Sequence, residues 1–303
     1  LHSPRSVASE MGAKIDDFLI DQITGAFRVI TTRDEFKGNE IIVVRYGETI
    51  DEVFPDWLAL SRLDENYYIP FDLNVPLSVP KRADLRHAYG VDPPLSEYGK
   101  LTTQILARHM QSRGVHLNGT VAIHAPPSLA CMQSAHEISR YFKSGCSGVR
   151  IDPAIAGDIR GLDHWLSLKE HTALGFKIDL SYTGPKPESE SESVAKIEQR
   201  VWNAFQRIVA SRSQGVVIVM TDALAMSIIN RRARGLPLPF TGNIQAEKAQ
   251  AYDAIPASSS LVFRPEGNSF SFLPRHLNAF TDVHGTHRVD LDDGVDFTPS
   301  HKA

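Results

Sequence analysis

The chain has 303 residues, 42% of them hydrophobic and 22% charged, which is the balance of a globular protein and excludes a fibrous or wholly disordered class. A net charge of −4 argues against nucleic acid as a partner, because a phosphate backbone needs a basic surface. No stretch reaches the roughly 18 apolar residues a membrane helix requires, so no membrane partner is expected.

Two cysteines, Cys131 and Cys146, cannot make a disulfide framework and fit a reducing, intracellular compartment, cytoplasm or nucleus. The chain starts at Leu1 rather than Met, so it reads as a piece of a longer protein, with a targeting signal or further domains upstream left open.

Residues 1–39 read as a peripheral N-terminal extension, with an amphipathic helix expected over Lys14 to Ile23. Ile41 to Val44 form a short, β-branched, fully apolar run, the pattern of a strand covered on both faces. It ends in Arg45, Tyr46, Gly47 and Glu48, at the strand end where open α/β sheets bind ligands. A long aromatic and proline-rich connection follows through Trp57, Tyr68 and Pro76, and Ser96 then caps a helix closed by Gly114.

Val121 to Ile123 is the second buried strand, and Ser128 opens a helix running to Phe142. Val149 to Ile151 is a third strand, followed by an irregular region from Ala154 to Thr183. The Glu/Ser run from Pro187 to Ser193 reads as an exposed loop. Val194, Ile197, Val201, Phe205, Ile208 and Val209 then mark one face of a helix feeding the fourth strand, Val216 to Met220. Leu261 to Phe263 and Ser269 to Phe272 predict a hairpin around Gly267 and Asn268. The polar tail over 281–303 is expected to be poorly ordered. Alternating strands and helices predict an α/β fold with a mostly parallel central sheet and helices on both faces, over residues 40–280.

The ordered segments Val43 to Glu48, Tyr68 to Pro76, Pro94 to Gly99, Pro127 to Ala135 and Gly215 to Ala225 resemble the histidine phosphatase (phosphoglycerate-mutase-like) superfamily. Within it they are most similar to the phosphatase domain of the TULA/Sts-type, ubiquitin-associated and SH3 domain-containing proteins. That resemblance implies a histidine nucleophile, arginines that neutralise the phosphoryl oxygens, an acid for the leaving group and a second histidine.

Carried across by position, Arg45 is retained but Tyr46 stands at the nucleophile. Thr49 and Ala130 replace phosphate-binding arginines, Gly157 falls at the acid (Asp158 after a one-residue slip), and Thr221, with Asp222 beside it, replaces the second histidine. A phenol with an ordinary pKa near ~10 is a poor nucleophile at neutral pH.

On the residues alone, Arg45 is read as an ion-pair arginine, with Glu48 or another nearby carboxylate as its partner, ahead of anion binding. Tyr46 is read as a packed aromatic with its hydroxyl hydrogen-bonded. The 12 histidines show no metal-ligand spacing, and no cofactor or metal is expected.

The expected function is therefore a pseudophosphatase: an inactive histidine-phosphatase-like module that binds a protein partner as a scaffold. The alternatives are a weak or repurposed phosphatase, or a sensor of phosphorylated ligands. TULA-type domains dimerise, so the resemblance also implies a homodimer.

Overall fold

A computed structural model of the chain describes residues 18–20, 27–29, 36–142, 145–187, 192–212, 215–238, 242–274, 276–277, 289–290 and 294–295. Its centre is a six-stranded sheet. In chain order the strands are β1 (Ile41–Arg45), β2 (Thr120–Ala125), β3 (Val149–Ile151), β4 (Gly215–Thr221), β5 (Ser260–Glu266) and β6 (Ser269–Phe272). Their spatial order is β3-β2-β4-β1-β5-β6. The first four are mutually parallel, and β5 and β6 close one edge antiparallel.

The apolar runs are uniform because both faces of the sheet are covered. Ile41 and Val43 of β1, with Val217 and Val219 of β4, face one core against Val201, Phe205 and Ile229. Ile42, Val44, Ile218 and Met220 face the other core with Leu106, Met110, Met132 and Ile138. Alternate side chains of a strand point to opposite faces, so a strand between two helical layers has no polar side.

The helices that matter for the site are α1 (Ile50–Val53), α2 (Trp57–Leu60), α3 (Leu85–Val91), α4 (Glu97–Ser112), α5 (Leu129–Ser139), α6 (Leu168–Ala173), α7 (Val194–Ala210), α8 (Ala223–Ala233) and α9 (Ile244–Ala254). Ser96 caps α4 through Gly99 N at 2.9 Å, and Ser193 caps α7. Gly114 follows α4 with φ +78°, a left-handed turn that glycine adopts without strain. Ser128 precedes α5, but the first amide of that helix, Leu129 N, donates to Asp92 Oδ1 at 2.7 Å. A third apolar cluster under the long connection gathers Ile50, Trp57, Leu63, Tyr89 and Leu129.

Three expectations change. Phe18–Ile20 is extended and pairs antiparallel with Phe27–Val29, so the helix expected over Lys14 to Ile23 does not form there; the rest of that segment lies outside the described residues. In the region after Ala154, the short helix α6 forms around the Ser167 and Glu170 capping box. In the Glu/Ser run, Glu192 pairs with Arg200 at 2.7 Å and Ser193 belongs to the start of α7, while 188–191 lie outside the described residues. Most of the tail 281–303 also lies outside them, apart from Val289–Asp290 paired with Gly294–Val295. Both cysteines are free and buried. No helix among the described residues is long and apolar enough to cross a membrane.

Candidate functional site

The C-terminal ends of β1 and β4 lie side by side, with Arg45 and Thr221 as register partners and Tyr46 N donating to Thr221 O at 3.2 Å. The turn after β1 is held tight by two glycines. A Cβ on Gly47 would sit 2.3 Å from Gly99 O, and one on Gly99 would sit 2.1 Å from Glu48 O. Only glycine at both positions lets this turn rest on the first turn of α4. A cleft of about 620 Å³ opens above these strand ends. Its wall includes Tyr46, Thr49, Glu52, Ala130, Asp222 and Tyr252.

Arg45 is 3% exposed and lies behind that wall. Its Nη2 donates to Glu52 Oε1 and its Nη1 donates to the Ile255 carbonyl. Its Cζ lies 4.6 Å from the Tyr252 ring centroid and 5.7 Å from that of Tyr46. The arginine is therefore an ion-pair residue, and its carboxylate is Glu52 rather than Glu48. Glu48 is turned the other way: its Oε1 accepts from Ser96 Oγ at 2.6 Å and from Asn74 Nδ2 at 3.1 Å, which ties the long connection to α4.

The Tyr46 and Tyr252 hydroxyls are hydrogen-bonded to each other. Burial pushes the Tyr46 phenol well above its ordinary pKa, and the neighbouring Tyr252 and Glu52 push it the same way. Tyr252 is raised likewise, first by burial and then by Asp222. Neither phenol ionises near neutral pH.

Thr49 is buried at the lip, and its amide donates to Glu52 Oε2 at 3.0 Å. Burial raises the Glu52 carboxyl above the usual glutamate range, against the pull of Arg45. Ala130 lines the cleft from the first turn of α5 with no charge to offer.

Thr221 is turned away: its hydroxyl donates to the Ile155 carbonyl at 2.7 Å in a fully buried position. The residue that lines the cleft from this strand end is Asp222. Asp222 caps α8 through Ala225 N at 2.9 Å, and its other oxygen accepts from Gly157 N at 2.6 Å and Asp158 N at 3.2 Å. Gly157 is hemmed in by the same carboxylate. A Cβ there would lie 2.4 Å from Asp222 Oδ1, so no acidic side chain fits without moving Asp222.

Asp158 bonds Arg160 Nη2 at 2.8 Å and also accepts from Lys248 Nζ. Burial alone would raise its pKa, but these two cations outweigh it and hold the carboxyl well below its usual range.

The cleft thus brings together Tyr46, Thr49 and Ala130, places Arg45 behind them, and leaves Glu48 and Thr221 facing elsewhere. Sequence position did not single out Glu52, Tyr252 or Lys248. Glu52 follows Thr49 by three residues, a capping-box spacing that offered a signal. Tyr252 and Lys248 arrive from α9, over 200 residues along the chain, with no motif to mark them. Among the described residues, no group of three His, Cys, Asp or Glu side chains is placed to hold a metal.

A mostly parallel sheet with a cleft over the ends of β1 and β4, entered by an Arg-Tyr-Gly-Glu turn, defines a phosphoglycerate-mutase-like domain. Residues 81–257 match the model of the histidine phosphatase superfamily (branch 1), more than half of the chain, and the chain belongs to that superfamily. The match begins downstream of Arg45 to Glu48.

Among its relatives, the Homo sapiens ubiquitin-associated and SH3 domain-containing protein A is 27% identical over 256 residues, 77% of this chain and 38% of that protein. The Mus musculus protein is 29% identical over 210 residues, 65% of this chain and 33% of that protein. The Drosophila melanogaster ecdysteroid-phosphate phosphatase is 23% identical over 209 residues, 66% of this chain and 27% of that protein. The chain thus spans about a third of the length of the curated relatives it matches. In structure, the ecdysone phosphate phosphatase of Bombyx mori, solved with tungstate, aligns with a TM-score of 0.66 at 18% identity. That alignment covers 84% of this chain and 98% of the other, and it supports the fold.

Proposed function

We propose that this domain is a pseudophosphatase: a histidine-phosphatase-like module that does not turn over phosphomonoesters and serves as a scaffold for a protein partner. The observation that carries this reading is the state of Tyr46. On the resemblance of Val43 to Glu48 it takes the position of the nucleophilic histidine; its phenol is hydrogen-bonded to Tyr252, and burial raises its pKa well above the ordinary value. A neutral, hydrogen-bonded phenol offers no attacking group at pH 7, and catalysis by a covalent phospho-enzyme needs one.

The cationic and amide donors around the cleft are engaged internally. Arg45 is paired with Glu52, the amides of Gly157 and Asp158 are taken by Asp222, and Arg160 and Lys248 are taken by Asp158. Transition-state stabilisation requires donors aimed at the developing charge, and these donors already have carboxylates.

A fold retained without its chemistry is best suited to binding another protein, inside the cell, through its exposed loops. A second copy of the chain is one such partner, by analogy with the dimerising TULA-type domains. The test assays the purified domain with an aryl phosphate and with phosphotyrosine peptides, and searches for phosphohistidine by mass spectrometry. No turnover and no phosphohistidine are expected. Turnover abolished by Arg45→Ala would replace this reading with that of a repurposed phosphatase.

A further inference from the structure

We infer that Glu52 is an internal plug: its carboxylate holds the seat on Arg45 that a tetrahedral oxyanion would otherwise take, and removing it opens the cleft to such an anion. The inference rests on reading the cleft as a vestigial phosphate seat.

Three observations carry it. Both carboxylate oxygens are committed inward, Oε1 to Arg45 Nη2 and Oε2 to the Thr49 amide at 3.0 Å. Tyr46, Glu52 and Tyr252, whose side chains all contact Arg45, line the cleft, so the guanidinium is screened from it by them. Finally, Arg45 Nε is buried with no hydrogen-bond partner, so the guanidinium keeps an unused donor beside the plug.

A carboxylate and a phosphoryl-type oxyanion compete for the same fork of guanidinium N–H groups. An intramolecular carboxylate, held close by the backbone of α1, wins that competition against a free anion at ordinary concentration. Glu52 sits on the lip of the cleft with its side chain 26% exposed, so truncating it opens the wall without emptying a core position. Arg160 and Lys248 line the same cleft but are paired with Asp158, so the gain in anion binding depends on Arg45 itself.

The experiment titrates the purified domain with sodium tungstate, reading heat of binding and thermal shift together. It compares the wild type with Glu52→Ala, Glu52→Gln and the double variant Glu52→Ala/Arg45→Met. Loss of one competing charge-assisted bond raises tungstate affinity in Glu52→Ala by about 10- to 100-fold over wild type. Glu52→Gln, which keeps the shape but not the charge, falls between them, and Arg45→Met erases the gain.

Equal affinity in wild type and Glu52→Ala overturns the inference, as does a gain that survives the loss of Arg45. Should the alanine variant fail to fold, the glutamine variant decides by the same comparison. A measurement without any variant follows the arginine Nε–Hε resonances of the wild type during the titration. The Arg45 signal stays unmoved if the plug holds, and an early shift overturns it. Aryl phosphate turnover by the wild type that survives Arg45→Ala would sink the inactive reading alone, turnover that depends on Arg45 would sink both, and no gain in binding with no turnover would sink the plug alone.

Discussion

Tyr46 and Tyr252, separated by 206 positions in the chain, share one hydrogen bond between their hydroxyls at the wall of the cleft, with the Arg45 guanidinium against both rings. The pair joins the end of β1 to α9. Removing either hydroxyl leaves the other half-buried donor or acceptor without its partner. Tyr46→Phe and Tyr252→Phe are each expected to cost about 1 kcal/mol, while the double variant costs less than their sum. Urea unfolding of the four proteins reads the coupling, and strict additivity would show that the contact carries no energy.

The effect of introducing a histidine at the end of β4 should depend sharply on which of two adjacent residues is changed. Thr221 is fully buried with its hydroxyl on Ile155 O, so Thr221→His overpacks that site and costs about 1–3 kcal/mol. It also places no imidazole in the cleft. Asp222 faces the cleft, so Asp222→His reaches it but releases the amides of Gly157, Asp158 and Ala225. Thermal unfolding together with an aryl phosphate assay on Tyr46→His/Thr221→His should show a destabilised, inactive protein. Measurable turnover by that variant would contradict the geometry.

Gly157 is kept small by its neighbour. Gly157→Ala drives a methyl group against Asp222 Oδ1 and the Ala225 amide, and is expected to lower the unfolding midpoint. Gly157→Ala combined with Asp222→Ala should cost less than the two changes summed. Independent effects in that double variant would rule out the steric account.

Arg82 and Asp92 form a pair with each side chain 2% exposed, and Asp92 also receives the first amide of α5. Arg82→Leu leaves a carboxylate buried without its cation and is expected to cost about 3–5 kcal/mol. Asp92 is already raised by burial against the pull of Arg82, so it should become protonated in the variant. The loss should therefore be smaller in acid than at neutral pH. A loss that is the same at both would argue that it does not come from a stranded Asp92 charge.

Two histidines link stability to pH. Burial lowers the pKa of His171 to about 4 and that of His124 to about 3. The unfolded chain binds a proton at each near the ordinary value of ~6.5, while the folded chain does not until pH falls much further. Between those values the unfolded state holds more protons, so stability is complete above pH ~6.5 and declines as pH falls toward 4. Each site should remove about 2 kcal/mol between pH 7 and pH 5. His171→Gln keeps a donor for the Pro127 carbonyl but does not titrate, so its urea midpoint should fall less steeply over that range. Parallel slopes for variant and wild type would refute the assignment.

Local pattern settled much of this protein. Runs of β-branched residues such as Ile41 to Val44 and Val216 to Met220 specify strands buried on both faces, because no other position tolerates so uniform an apolar run. The cap at Ser96 and the apolar face of α7 followed from spacing that a helix alone makes contiguous. The places of Tyr46 after β1 and Ala130 at the start of α5 were legible for the same reason, since a segment at a strand end or helix start keeps its order in the chain.

Tertiary structure decided what sequence proximity could not. Glu48 adjoins the Arg-Tyr-Gly turn yet faces Ser96 and Asn74, while Glu52 reaches Arg45, because α1 turns the chain back on the guanidinium. Thr221 and Asp222 are neighbours, yet consecutive side chains at a strand end point to opposite sides, so only Asp222 enters the cleft. Tyr252 and Lys248 come from α9, and no local pattern could announce them. Their place follows from packing α9 beside α8, a long-range contact whose geometry is set by the whole core.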